Sequence, residues 1–196
     1  MLEKDRFSKK SKVIIVSFIL FFSPSLLAKN INEELINYNF NLKNSSASFI
    51  QSNGKSVGEG VIYFGLKRIK IDYLKPNKLT LIFSEKKGAY INHELEEAEY
   101  FRTSNSYLLP LLSLFNNKIP KTAKVLETND FIEVIEEIII NEMIYNIKIV
   151  YENNPIKIRK IEILSNDEKI EFGLFNHKIR EAFRENFFSM INPYQN

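Results

Sequence analysis

The chain of 196 residues is 44% hydrophobic and 26% charged, which excludes global disorder and collagen-like or low-complexity polymers and suffices for one domain with a sizeable core. Cysteine is absent, so disulfides, thiol catalysis, thiolate zinc sites and lipid attachment at an N-terminal cysteine are excluded too. The net charge of +3 comes entirely from Lys4, Arg6, Lys9, Lys10 and Lys12 set against Glu3 and Asp5; from Lys29 onward the chain is formally neutral, and no global basic surface speaks for nucleic acid.

Residues 1–28 read as an export signal. The basic stretch ends at Lys12, an apolar run follows from Val13 to Phe22 with only Ser17 inside it, Pro24 breaks it, and Ala28 supplies a small residue. This is the secretory pattern. The run is shorter than the ~20 apolar residues that span a bilayer, so cleavage is favoured over a retained anchor. The expected mature chain, one domain over 29–196, begins at Lys29 and is exported to a periplasm or the exterior. No later segment is long and apolar enough to span: Ile138-Ile139-Ile140 is flanked by Glu136, Glu137 and Glu142.

Ile31, Leu35, Tyr38 and Leu42 sit at helical spacing, with Asn30 placed to cap and Glu33-Glu34 in the first turn, which predicts an amphipathic helix over about Ile31 to Leu42. The period then changes to two. Ile69, Ile71 and Tyr73 share one face of a strand, with Arg68, Lys70 and Asp72 on the other and expected in solvent. Leu79, Leu81 and Phe83 repeat the pattern after Pro76-Asn77, as do Ile147, Ile149 and Tyr151, and then Ile170, Phe172 and Leu174. Ile156 and Ile158 change phase to Ile161 and Ile163, which predicts a bulge near Arg159-Lys160. Turn signals (Asn53-Gly54, Pro76-Asn77, Asn129-Asp130, Asn153-Asn154-Pro155, Asn166-Asp167) separate the runs. Consecutive short strands imply an antiparallel meander. Two segments break the pattern. Leu108 to Phe115 is apolar almost all round, with Pro110 placed to start a short helix. Ile179, Phe183 and Phe187 recur at i, i+4 and i+8, so a helix is expected near the C-terminus. A sheet with one apolar face and a very apolar short helix is either one plain core or a greasy cavity under a helical cover, and periodicity does not separate the two.

Catalytic signals are weak. Gly54-Lys55-Ser56-Val57-Gly58 matches G-x-S-x-G, but a nucleophile elbow needs a helix after the serine. Here Gly58-Glu59-Gly60 and the β-like Val61-Ile62-Tyr63-Phe64 follow, so a glycine-rich turn explains the segment and a hydrolase acting through Ser56 is disfavoured. His93-Glu94-x-Glu96-Glu97 fits a solvated turn better than a metal site, and His177 beside Lys178 is expected on the surface. No phosphate-binding loop or dinucleotide fingerprint is present.

Taken together in chain order, several short pieces resemble the periplasmic outer-membrane lipoprotein carrier family (LolA). They are Ser48-Phe49-Ile50-Gln51, Gly60-Val61-Ile62-Tyr63-Phe64 and Lys70-Ile71-Asp72-Tyr73-Leu74-Lys75-Pro76. Next come Tyr90-Ile91-Asn92-His93-Glu94-Leu95-Glu96 and Leu108-Leu109-Pro110-Leu111-Leu112, and finally Ile170-Glu171-Phe172 through Phe187-Phe188 to Pro193. The resemblance implies a mainly antiparallel β fold with helices (α+β): an unclosed, strongly curved β-barrel whose apolar concave face is covered by a helical lid. It implies a non-enzymatic chaperone without cofactor or metal, expected to be a monomer. Such a carrier accepts acylated lipoproteins from an inner-membrane ABC exporter, shields their acyl chains, and passes them to an outer-membrane receptor where one exists. The alternative is a periplasmic lipid-binding or envelope-sensor module of the same fold. The expected acyl cavity is lined by Phe49, Tyr63, Ile69, Ile71, Tyr73, Leu79, Leu81, Phe83 and Tyr90. The expected lid is Leu108, Leu109, Leu111, Leu112 and Phe115. Where the family carries an arginine that holds the lid shut, this chain has Gly65. If the strand runs on unbroken, Lys67 lies on the same face and takes over as lid lock; if Gly65-Leu66 is a turn, that parity does not apply.

Overall fold

The computed structural model describes residues 30–105, 108, 111, 112, 122–140, 142–166, 168–179 and 182–195; residues 1–28, expected to be an export signal, lie outside them. Helix α1 spans Ile31–Asn41. Its first turn carries Glu33 and Glu34, where acids oppose the positive end of the helix dipole. The Asn30 carbonyl accepts the N–H groups of Glu33 and Glu34 at 3.0 and 3.2 Å, but its side chain makes no capping bond.

Eleven strands follow: β1 (Ser45–Ser52), β2 (Val57–Phe64), β3 (Ile69–Lys75), β4 (Leu79–Phe83), β5 (Lys87–Asn92), β6 (Glu97–Arg102), β7 (Lys124–Glu127), β8 (Phe131–Ile140), β9 (Met143–Asn153), β10 (Ile156–Ser165) and β11 (Glu168–Lys178). They form one antiparallel, curved and open sheet in the order β6-β5-β4-β3-β2-β1-β11-β10-β9-β8-β7. Two meanders, β1–β6 and β7–β11, are joined where β1 pairs with β11. The free edges β6 and β7 are consecutive in sequence.

Strand alternation sorts the side chains onto two faces. Register places Ile69, Ile71 and Tyr73 opposite Phe83, Leu81 and Leu79, and Ile71 and Ile69 opposite Ile62 and Phe64. In the other half, Ile132, Val134 and Ile138 face Tyr151, Ile149 and Tyr145. Apart from Leu79, these residues, together with Leu35 and Leu42 of the α1 region and Leu108, Leu111 and Leu112, belong to one continuous apolar cluster. The cluster fills the inner, concave face. The ladder between β9 and β10 slips between Ile158 and Lys160, the bulge that the phase change predicts.

The outer face of β2–β5 departs from the sequence reading. Residues 182–195 run across it without forming a helix among the described residues: a turn closes through Phe187 N–H to the Arg184 carbonyl at 3.0 Å and Ser189 N–H to the Asn186 carbonyl at 2.9 Å. Lys70 and Asp72 are consequently half-buried rather than free in solvent. Lys70 Nζ lies 4.3 Å from the centre of the Phe187 ring, and Met190 packs on Ile82, Ala89 and Ile91 as a second, outer cluster. The helical spacing of Ile179, Phe183 and Phe187 has another cause. Phe183 and Phe187 stack at 4.8 Å and both meet the Tyr63 ring edge-on, at 6.0 and 4.9 Å. On β8–β11 the outer face carries a ladder of ion pairs instead: Glu133, Lys148, Glu162, Lys160, Glu171 and Lys169.

Candidate functional site: the inner face of the open sheet

Of the predicted cavity residues, Phe49, Ile69, Ile71 and Phe83 are fully buried on the inner face, with Tyr73 and Leu81 partly buried against the same cluster. Leu79 is opposite Tyr73 on that face. Tyr90 is opposite Leu81 and is 37% exposed, so it sits toward the rim. Tyr63 does not belong here. Its β3 partner is Lys70, which puts it on the outer face against Phe183 and Phe187; a residue one step from Ile62 on a strand necessarily points the other way.

Leu108, Leu111 and Leu112 are buried in the inner cluster. Leu109 and Phe115 lie outside the described residues. Lys67 makes no lid contact among the described residues. Gly65 N–H donates to the Arg68 carbonyl at 2.9 Å and closes a tight turn, with Leu66 and Lys67 exposed at its tip. The parity argument therefore fails. Gly65 itself faces outward: a Cβ there would meet the Phe188 ring at 2.9 Å. Arg68, the nearest arginine, donates from Nη1 to the Phe188 carbonyl at 2.6 Å and so holds the C-terminal segment.

Two tyrosines help tie α1 over the inner face. The Tyr38 hydroxyl accepts the Ile158 N–H at 2.9 Å, next to the bulge. The Tyr151 hydroxyl donates to Asn39 Oδ1 at 3.2 Å, and the two rings meet edge-on at 5.8 Å. Burial pushes the Tyr38 phenol up to about 12, against smaller opposing pulls from the Ile158 bond and Arg159. Burial likewise raises Tyr151. Both stay neutral, as a hydroxyl inside an apolar face must. Helical spacing marks Tyr38 in the sequence, but its partner on β10 and the buried Asn39 give no local signal.

At one end of the inner face a cavity of about 320 Å³ opens between the β8–β9 and β10–β11 turns, lined by Met143, Tyr145, Ile163, Ser165, Asn166, Glu168 and Ile170. That is the lower end of the volume range of ligand pockets, about 300–1,000 Å³. Among the described residues, Glu136 is the one carboxylate, lysine, arginine or histidine that is buried; it stands on the inner face opposite Ile147.

The two histidines lie apart from the inner face's apolar cluster. His93 joins Tyr194 Oη (2.8 Å) to Thr80 Oγ1 (2.8 Å), and Thr80 donates to Asp72 Oδ1 at 2.6 Å, a chain that pins the C-terminal segment to the outer face. His177 is half-buried rather than on the surface; burial, and secondarily Arg159, lowers its pKa. Ser56 donates to Asn53 Oδ1 at 3.1 Å within an exposed turn. Among the described residues no three His, Asp or Glu side chains converge as metal ligands would, and no helix is long and apolar enough to cross a membrane.

No family model matches this chain, and no curated protein matches it. Solved structures do. An uncharacterized conserved protein from Thermus thermophilus is similar over 83% of this chain and 93% of its own, with 7% identity and a TM-score of 0.51. MucB of the Pseudomonas aeruginosa MucA/MucB complex matches over 81% of this chain and 60% of its own, at 9% identity and a TM-score of 0.44. MucB in complex with MucA(peri) matches over 79% and 57%, at 9% identity and 0.42. This chain thus spans somewhat under two thirds of the MucB chains. At these identities, what the Thermus protein shares with this chain is the fold.

Proposed function

We propose that this protein is an exported, non-enzymatic carrier that takes acyl chains onto the inner face of its open sheet and moves acylated lipoproteins through the periplasm. It would receive them from an inner-membrane ABC exporter and deliver them to the outer membrane. The observation that carries this reading is the apolar inner face shared by both halves of the sheet, over which lie α1, fastened to it by the Tyr38 and Tyr151 hydroxyls, and the buried leucines at 108, 111 and 112. Each buried CH₂ of an acyl chain contributes about 0.8 kcal/mol. A rigid cavity holding two or three chains would bind too tightly to release them. A closed empty state is also required, because an open apolar face of this extent exceeds what soluble monomers expose. Ligand then shifts the balance from closed to open. The motif resemblance supports the lipoprotein as cargo, and the pattern of residues 1–28 supports the periplasm.

The test is mass spectrometry of what co-purifies with the full chain expressed in a cell with two membranes. Acylated lipoproteins are the expected cargo. Free fatty acids or phospholipids alone would replace the carrier reading with that of a lipid-binding or sensor module, and clean protein would remove the acyl site.

A further inference from the structure

Glu136 is 8% exposed, and among the described residues its Oε2 has no hydrogen-bond partner. Strand β8 reads Ile132, Val134, Glu136, Ile138 along its inner face. Across the ladder Glu136 meets Ile147, between the partners of Val134 (Ile149) and Ile138 (Tyr145). The nearest lysine on β9, Lys148, is on the opposite face and already engaged by Glu133 and Glu162. A carboxyl group in such a place is expensive unless something supplies a proton donor. Burial pushes its pKa up. A leucine or valine would continue the strand's own pattern at lower cost, so the acid makes sense where a bound molecule brings the missing donor. Tyr145, diagonal to Glu136, lines the open end of the inner face, which gives a head group a way in.

We propose that Glu136 recognises an N–H-bearing head group, a primary ammonium or an acylated amine, at the root of the chains held on the inner face. This rests on the acyl-binding reading and adds the substrate class: amphiphiles that carry an N–H near the root of their chains. The modified N-terminal residue of a lipoprotein offers such a nitrogen, as a free ammonium or, with a further chain attached to it, as an amide.

Dodecylamine, N-dodecylacetamide and methyl dodecanoate carry comparable chains, and only the first two have an N–H. Their affinities for the full chain, measured by displacement of an apolar fluorophore, rank them directly. The nitrogen probes should bind the wild type about 10- to 100-fold more tightly than the ester, the worth of a charge-assisted hydrogen bond. In Glu136→Leu this advantage should fall to about two-fold or less while ester binding persists. A gain for dodecylamine alone identifies a free ammonium as the head group, and a gain for the acetamide alone an acylated amine; either supports the proposal. Equal affinity of all three for the wild type overturns it, and that comparison needs no variant. If the ester binds and head group makes no difference, only this inference falls; if no probe binds, the acyl-binding reading falls with it.

Discussion

Replacing Tyr38 by Phe deletes one oxygen and leaves the ring edge-on to Tyr151, so packing is conserved and only the bond to the Ile158 N–H is lost. That bond is 2.9 Å long, and Ile158 has 0% exposure, so no water takes the place of the hydroxyl. A buried donor left without its acceptor costs about 1–3 kcal/mol. For a domain of this size each kcal/mol moves Tm by about 2–4 °C, giving a fall of roughly 2–12 °C. Thermal unfolding followed by circular dichroism reads the loss. Amide hydrogen exchange locates it, because the Ile158 N–H should exchange faster while the amides of β3 and β4 keep their protection. An unchanged Tm together with unchanged exchange at Ile158 would refute the claim that Tyr38 fastens α1 to the sheet.

Other expectations follow from the two faces. Bonds from Lys160 (2.6 Å) and Lys169 (2.7 Å) hold the Glu171 carboxyl down at about 2. A depressed folded pKa contributes stability above the unfolded value, and that contribution is lost as pH falls from about 4.5 toward 2, so Glu171→Gln should flatten this acid limb in a pH series of denaturant midpoints. Gly65→Arg should not strengthen the cover of the inner face, because its Cβ would press on Phe188; instead the C-terminal segment should become more sensitive to protease while a bimane at Leu112 reports the same environment as before. That same bimane in the unaltered background should shift when lipoprotein is added, and an indifferent probe would make Leu108–Leu112 plain core. Ile71→Glu places an unpaired charge at a site with 0% exposure, so either folding or acyl-probe binding should be lost, and normal values of both would show the face to be wrongly assigned.

Much of the sheet is legible from period alone. Ile69-Ile71-Tyr73 and Leu79-Leu81-Phe83 alternate cleanly because one side meets the core, and the bulge at Arg159 announces itself as a phase slip. Strand β8 is not legible, and the reason is chemical: Glu136 interrupts the apolar series on the inner face, and Ile138-Ile139-Ile140 is apolar on both. Tyr63 shows the opposite failure. An aromatic flanked by Ile62 and Phe64 looks like core, and only the strand partner Lys70 reveals that it faces outward. What covers that outer face is hidden for a further reason. Ile179, Phe183 and Phe187 copy helical spacing, yet the partners of Phe183 and Phe187, and of the neighbouring Phe188 carbonyl, lie more than a hundred residues earlier, at Tyr63 and Arg68. Strand parity does not carry from Gly65 to Lys67, because the tight turn closed by the Gly65 N–H and the Arg68 carbonyl resets the alternation that the parity assumes.

Which face holds acyl chains is decided most directly by photo-crosslinking. A palmitoyl chain bearing a diazirine near its end is added to the purified full chain, irradiated, and the adducts are mapped by peptide sequencing. Adducts should concentrate on inner-face residues, among them Ile71, Leu81, Leu112 and Ile147, and should be competed away by lipoprotein. Adducts confined to the outer aromatic patch around Tyr63 and Phe187, or none at all, would contradict the inner face as the acyl-binding site.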